Sequence, residues 1–317
     1  MSAGKILVVR GGAIGDFILT LPVFAALREQ FPTARLEVLG YSHIASLAKA
    51  GGLVDDVRSI EARALAGFFA KDGTLDTSLQ EFFGSFAVIL SYLYDPDGIF
   101  QANVARCSKA QFIAGPHRPN DRAPIHATEV MLKPLERLAI FAPDSTPKLK
   151  IANSLIPHSV LHTPHLTRLA IHPGSGSEQK NWPEQKWAEA MRKWLSLPGI
   201  SLLLVGGEAE QGRLERLATQ LGPARVELAA NLPLVELALR LSSCRAFAGH
   251  DSGISHLAAA LGLPVVVLWG DTSETVWRPK GPNVILLKDK RGLPELAVDQ
   301  VVEAVLDLLN APPSRGE

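Results

Sequence analysis

The sequence predicts an α/β fold built from two parallel-sheet domains that face each other across a cleft. Three observations lead there. Short runs rich in Val, Ile and Leu alternate with helical patterns from end to end of the 317 residues. Several of those runs are apolar throughout, as strands are when helices cover both faces of their sheet. The alternation stops once, across APDSTPKLKIANSLIPHSVLHTPHLT (residues 142 to 167), which carries four prolines and no clear period. The domains are accordingly placed at residues 1–155 and 156–317, with the rhythm restarting at LAIHPG.

The elements follow in order. KILVV gives a first strand over Ile6–Val9, and a glycine turn then leads into an apolar helix over Phe17–Phe31. Pro22 lies inside that helical pattern and predicts a kink or a late helix start. Strands are expected at Arg35–Leu39 and Phe86–Ser91. In the second half a strand over Arg168–His172 opens onto a Gly/Ser loop, and Pro183 begins a helix running through Trp187–Leu195. Trp187 and Trp194 are seven apart, which puts both on one face and predicts core packing. A strand over Ser201–Val205 empties into Gly206–Gly207, and helices are expected over Glu210–Leu221 and Leu234–Leu241. A strand over Ala246–Ala248, a small-residue helix over Ile254–Leu261 and strands at Val265–Trp269 and Val284–Leu287 complete the pattern. Residues 311–317 read as a frayed tail.

Bulk composition excludes several classes. Lys and Arg number 32 and Asp and Glu number 32, so no overall charge draws the chain to nucleic acid. Cys107 and Cys244 form no CxxC pair, which argues against a disulfide framework or zinc knuckle and for a reducing compartment. The N-terminus enters a strand without a signal-peptide pattern, and no apolar run approaches the roughly 18 residues of a bilayer span. A cytoplasmic protein is expected. Residues 106 to 150 are locally basic, with eight Lys or Arg against four acids. That stretch is either a solvated face or one that meets an anionic substrate or membrane headgroups.

Ligands of open α/β sheets collect where strands end and helices begin, and four such junctions carry unusual residues. In RGGAIGD the glycines are Gly11, Gly12 and Gly15, which do not fit the G-x-G-x-x-G dinucleotide spacing. Asp16 is either the cap of the following helix or a carboxylate placed to accept a proton from a substrate hydroxyl. In HPGSGSEQKNWP the Gly174–Ser177 loop leaves backbone N–H groups open to oxygen anions, and Lys180 adds a point charge. The spacing is not that of a P-loop, and Gln179 stands where a third dinucleotide glycine would be. After Gly206–Gly207, Glu208 and Glu210 suit either the helix dipole or the hydroxyls of a ribose. In GHDSGISHL, Gly253 lets a ligand approach the first-turn N–H groups of a helix, with His256 one turn in. There Ser252 reads equally as an N-cap and His256 as a satisfied core histidine. Asp95-Pro96-Asp97 matches D-x-D, a pattern that binds metal–diphosphate in some glycosyltransferases, but reads as an ordinary turn. His158, His162 and His165 lie in the proline-rich linker without helical support or a nearby acid.

Taken together and in this order, RGGAIGDFILTLPV, HPGSGSEQKNWP and GHDSGISHLAAALGLPVVVLWG resemble glycosyltransferase family 9, the ADP-heptose:lipopolysaccharide heptosyltransferases, over nearly the whole chain. The resemblance implies a GT-B fold of two Rossmann-like domains. The first would be the acceptor side and the second the nucleotide-sugar side, with residues 300 to 310 running back onto the first. It implies that Asp16 is the general base. Ser175, Gly176, Ser177 and Lys180 would hold the diphosphate, and Asp251, Ser252, Gly253 and His256 the nucleotide and its phosphates. Glu210, preferred over Glu208, would take the ribose. The donor substrate would be ADP-heptose, with no further cofactor and no metal, and the acceptor a lipid-linked anionic sugar at the inner membrane surface. Partners would then include peripheral contact with that membrane and no nucleic acid. Residues 41 to 130 carry no matching motif. Rival readings are a nucleotide-sugar epimerase of the same fold and a non-catalytic nucleotide-binding module.

Overall fold

The computed structural model describes residues 4–151, 166–175 and 181–310. The expected site residues Gly176, Ser177 and Lys180, the linker histidines 158, 162 and 165, and the 155/156 boundary lie outside the described residues. The chain forms two compact units, residues 1–147 and 148–317.

The first unit runs β1 (Lys5–Arg10), α1 (Ile14–Ile18), α2 (Leu21–Gln30), β2 (Arg35–Gly40), α3 (Ser42–Ala50), β3 (Asp56–Ser59), α4 (Thr77–Gly84), β4 (Val88–Ser91), α5 (Ile99–Ala105), β5 (Gln111–Ala114) and α6 (Ala127–Leu132). Its sheet has the order β3-β2-β1-β4-β5 with every pair parallel. The helix expected as one piece over Phe17–Phe31 is two. Pro22 has no N–H to give to Ile18, and its ring crowds that carbonyl, so α1 stops at Ile18 and Pro22 sits in the first turn of α2. Thr20 Oγ1 donates to the carbonyl of Asp16 at 2.8 Å across the break. Strands β3, β5 and, in the second unit, β8 (Val226–Ala230) are not expected from the sequence. Their sequences DVRS, QFIA and VELAA are short, mixed in polarity and only partly buried, so they lack the apolar run that marks a strand covered on both faces.

The second unit runs β6 (Thr167–His172), α7 (Glu184–Leu195), β7 (Ile200–Gly206), α8 (Gln211–Leu221), β8 (Val226–Ala230), α9 (Leu234–Ser242), β9 (Ala246–His250), α10 (Gly253–Ala260), β10 (Val265–Leu268), α11 (Glu274–Trp277), β11 (Val284–Leu287) and α12 (Val298–Asn310). Its sheet has the order β11-β10-β9-β6-β7-β8, again all parallel. Pro183 is the N-cap residue of α7 rather than its first helical residue. Trp182, Trp187 and Trp194 are fully buried, as the seven-residue spacing of the last two predicts. The rings of Trp182 and Trp187 meet edge to face at 5.1 Å. Helix α12 buries Val301, Val302, Val305 and Leu308 in the core of this second unit, where it packs on α7. Cys107 and Cys244 are both free. No helix of the described residues is long and apolar enough to cross a membrane.

In the first unit, Phe68, Phe83 and Phe100 form a buried aromatic core beside the 3₁₀ turn Arg63–Phe69. The buried Asn103 closes that turn. Its Nδ2 reaches the carbonyls of Phe68 at 3.0 Å and Ala70 at 2.9 Å. Replacing it leaves the buried Phe68 carbonyl without this donor, a cost of about 2 kcal/mol. Asn103→Ala is therefore expected to lower the urea-unfolding midpoint, and an unchanged midpoint would contradict the assignment.

Candidate active site

In a parallel sheet every strand delivers its following loop to the same edge, and a gap opens where the strand order reverses. In the first unit that reversal lies between β1 and β4, paired through Val9 and Ser91. A pocket of about 480 Å³ occupies this edge. Its walls come from the ends of all five strands, among them Gly12 and Asp16 after β1, Tyr41 after β2, Glu61 after β3, Tyr94 after β4 and His117 after β5.

Asp16 lies in the third position of α1, whose N-cap residue is Ala13. The cap reading of the sequence therefore shifts by three residues. Asp16 Oδ2 accepts the Ala13 N–H at 3.0 Å, reaching back to cap the helix from inside it. The side chain is 31% exposed and lines the pocket. Gly12 makes this possible in two ways. Its φ of +97° belongs to the region glycine tolerates, and a Cβ there would lie 2.8 Å from Asp16 Oδ2.

Arg10 is the site residue that the sequence reading passed over. It is 3% exposed. Nη1 donates to the His117 carbonyl at 2.9 Å, and Nη2 donates to the Asp16 carbonyl at 3.1 Å while lying 3.8 Å from Asp16 Oδ1. The guanidinium also sits over the Tyr92 ring at 5.9 Å, and Tyr92 is fixed by its hydroxyl on the Met131 carbonyl at 2.6 Å. Burial pushes the Arg10 guanidinium below its usual range, and the negative charge of Asp16 opposes that. The one sequence signal was a cation ending an otherwise apolar strand.

In the second unit the order reverses between β6 and β9, paired through His172 and Gly249. His172 ends β6 and His250 ends β9, and both are buried. The Trp182 N–H donates to His250 Nε2 at 2.8 Å, and His250 Nδ1 lies 3.1 Å from the Gly174 carbonyl. Ser175 Oγ donates to Asn181 Oδ1 at 2.9 Å across the same pair of chain segments. Ser252 is the N-cap residue of α10, yet its hydroxyl makes no capping bond and lies 3.2 Å from His172 Nδ1. Gly253 opens α10, Asp251 is half-buried before it, and His256 is buried one turn in.

The two acids after Gly206–Gly207 separate cleanly. Glu208 is exposed, whereas Glu210 is buried with Oε2 accepting the Gly207 N–H at 2.9 Å. Glu210 packs so closely on Gly174 that a Cβ there would lie 2.1 Å from its Cγ. Arg213 Nη1 donates to the Pro173 carbonyl at 3.0 Å from the following helix. The structure thus brings Ser175, Glu210, Asp251, Ser252, Gly253 and His256 to the carboxyl edge of the second sheet, and Asp16 to that of the first. The Asp95-Pro96-Asp97 stretch is the turn expected of it, because both Asp95 carboxylate oxygens accept N–H groups at the start of α5, from Phe100 and Gln101. Among the described residues, no three of His, Cys, Asp and Glu cluster so as to hold a metal ion.

Comparison with known proteins gives one consistent picture. The family model described as glycosyltransferase family 9 (heptosyltransferase) matches residues 137–304, just over half of the chain. Lipopolysaccharide heptosyltransferase 3 of Escherichia coli is 23% identical over 298 residues, covering 86% of this chain and 85% of that protein. A glycosyl transferase family 9 structure from Veillonella parvula DSM 2008 superposes with a TM-score of 0.79 at 18% identity, covering 98% of each chain. The E. coli heptosyltransferase WaaC, solved with ADP, gives a TM-score of 0.75 at 20% identity over 96% of this chain and 99% of that one. The fold is accordingly of the GT-B type, with two Rossmann-like domains.

The buried histidines carry a measurable consequence. Burial pushes His172 from 6.5 down to about 4, against the pull of Glu210, and His250 from 6.5 down to about 3. Both stay neutral in the folded protein where the unfolded chain takes up protons. Their contribution to stability is complete above about pH 6.5 and is lost as the pH falls towards 4. The loss is about 2 kcal/mol for each histidine between about pH 7 and about pH 5. Urea unfolding at both pH values checks this. His250→Gln is expected to lose about half of the pH dependence that the pair contributes, and equal pH dependence in the two proteins would contradict it.

Proposed function

The chain belongs to glycosyltransferase family 9, and from that premise we propose that it moves a heptose from ADP-heptose to a lipopolysaccharide inner-core acceptor with inversion at the anomeric carbon. The observation that carries this reading is Asp16, a pocket-lining carboxylate at the carboxyl edge of a parallel sheet, with one oxygen fixed by the Ala13 N–H. Relatives named for lipopolysaccharide heptosyl transfer and a structural neighbour solved with ADP support the donor and acceptor classes.

In the proposed step the acceptor hydroxyl gives its proton to Asp16 as its oxygen bonds to the anomeric carbon. The bond from that carbon to the diphosphate oxygen breaks on the opposite face, and ADP leaves with the electron pair. A general base of this kind works only if its oxygen is held at the right place. The Ala13 N–H and the Arg10 contact to the Asp16 carbonyl do that here. Charge gathering on ADP would be met by Lys180, the Ser175–Ser177 loop and the N-terminus of α10 at Ser252 and Gly253. Asp251 and His256 flank that N-terminus, and Glu210, held beside Gly174, is the acid for the ribose. The step as written calls on no metal ion and no cofactor besides the donor substrate.

The acceptor is proposed to be anionic and lipid-linked, met by a cytoplasmic enzyme in peripheral contact with the inner membrane. Arg118 lines the Asp16 pocket, and Arg122 lies close by in the chain. Both belong to the basic stretch from Arg106 to Lys150.

Two experiments test this reading. Asp16→Ala is expected to lower turnover by roughly 10²–10⁴-fold while ADP binding stays nearly intact. Turnover that survives, with only the stability loss of about 1 kcal/mol expected of a missing helix cap, would reduce Asp16 to a structural residue. Reversing charge at Arg118→Glu with Arg122→Glu is expected to raise KM for the acceptor far more than KM for ADP-heptose. An unchanged acceptor KM would remove these arginines from acceptor recognition.

A further inference from the structure

Phe69 is a large apolar side chain that the fold leaves 45% exposed, and it lines the same pocket as Asp16. Its ring stacks on the buried ring of Phe100, with centroids 5.2 Å apart and planes 21° from parallel. The core therefore takes one face of the ring, and the opposite face is the one left open. The backbone on either side is pinned. Asn103 Nδ2 donates to the carbonyls of Phe68 and Ala70, the two neighbours of Phe69. The loop that carries the ring also closes on itself, since a Cβ on Gly73 would lie 2.1 Å from the Gly67 carbonyl oxygen. Arg106 Nη1 holds the far end by donating to the Gly73 carbonyl at 2.8 Å. The open phenyl face is thus set in place before anything meets it.

We infer that the open face of Phe69 is the platform for the acceptor: a sugar ring lies flat on it by its C–H face and keeps its hydroxyls for Asp16 and the charged rim. The inference rests on the acceptor-side reading of the Asp16 pocket proposed above. The mixed character of the pocket selects the ligand class. Its lining joins the rings of Phe69 and Tyr94, the latter 72% exposed, to the charged groups of Asp16, Glu61 and Arg118. An alkyl chain would bury those charges without partners, and a bare anion would leave the rings against water. A sugar uses both, because its C–H hydrogens are drawn to the negative face of an aromatic ring while its hydroxyls bond at the edge. Stacking fixes the plane of the sugar and leaves its hydrogen bonds unspent, so a hydroxyl remains to be held at the Asp16 carboxylate. A platform already anchored to α5 also has no ordering of its own to undergo on binding.

The test is heptosyl transfer by the full chain to a de-acylated lipopolysaccharide inner-core oligosaccharide. Phe69→Leu keeps apolar bulk but loses the flat face. It is expected to raise acceptor KM about tenfold, while kcat and KM for ADP-heptose change far less. Phe69→Tyr keeps the ring and is expected to recover most of that loss. Saturation-transfer NMR with the same oligosaccharide gives a readout that needs no turnover. Irradiating the protein's aromatic protons is expected to mark sugar C–H protons strongly with the native chain and weakly with Phe69→Leu. A folded leucine variant with unchanged acceptor KM overturns the platform, and the transfer reading stands if Asp16→Ala still lowers turnover. A rise in KM for ADP-heptose in place of acceptor KM assigns the face to the nucleotide and overturns the platform as well. Saturation transfer lost in Phe69→Leu while Asp16→Ala keeps its turnover upholds the platform and removes only the base. If the oligosaccharide takes up no saturation from the native chain, the acceptor reading of the pocket falls and the platform with it.

Discussion

Every strand in both sheets is parallel, and that single constraint organises the chemistry of this protein. Parallel neighbours cannot be joined by a hairpin, so each strand is followed by a crossover, and all strand ends of a sheet gather on one edge. Both sheets reverse their strand order once, between β1 and β4 and between β6 and β9. Residues far apart in sequence are brought together there without any local motif. Arg10 and His117 lie 107 residues apart and share a hydrogen bond. Ser252 meets His172 across 80 residues.

The price of the arrangement is polar groups buried at strand ends, and most of their donors and acceptors are matched to partners. Arg10 gives its two terminal nitrogens to the carbonyls of His117 and of Asp16 in α1, while its Nε is buried without a hydrogen-bond partner. His250 uses both ring nitrogens, and Glu210 takes the Gly207 N–H. Matched in this way, such groups tie loops to the sheet instead of weakening the core. Glycines complete the arrangement by removing bulk where carboxylates must come close, Gly12 beside Asp16 and Gly174 beside Glu210.

The central strands could be read from the sequence because burial on both faces leaves an uninterrupted apolar run, and the glycine-marked junctions after them could be read for the same reason. The peripheral strands could not, since DVRS, QFIA and VELAA are made by pairing with a neighbour more than by their own composition. Pro22 announced the break between α1 and α2, but the true start of α1 was hidden. Ala13 has no capping side chain, and the cap comes from Asp16, inside the helix. The contacts of Arg10 and His250 could not be read for a further reason. Their partners are distant backbone groups, and a backbone group leaves no trace in residue type. The difference in burial between Glu208 and Glu210 is likewise something that spacing alone does not express.

The distribution of aromatic residues gives the two units separate optical signatures. All five tryptophans lie at or beyond residue 182, and Trp182 and Trp187 pack around His250. The first unit contains none. It holds all three tyrosines of the chain, Tyr41, Tyr92 and Tyr94, and every one of them lines the pocket that contains Asp16. Indole emission therefore reports on the second unit, and every phenol ring lies in the first. Each unit of the native chain thus carries its own aromatic probe, with no label attached.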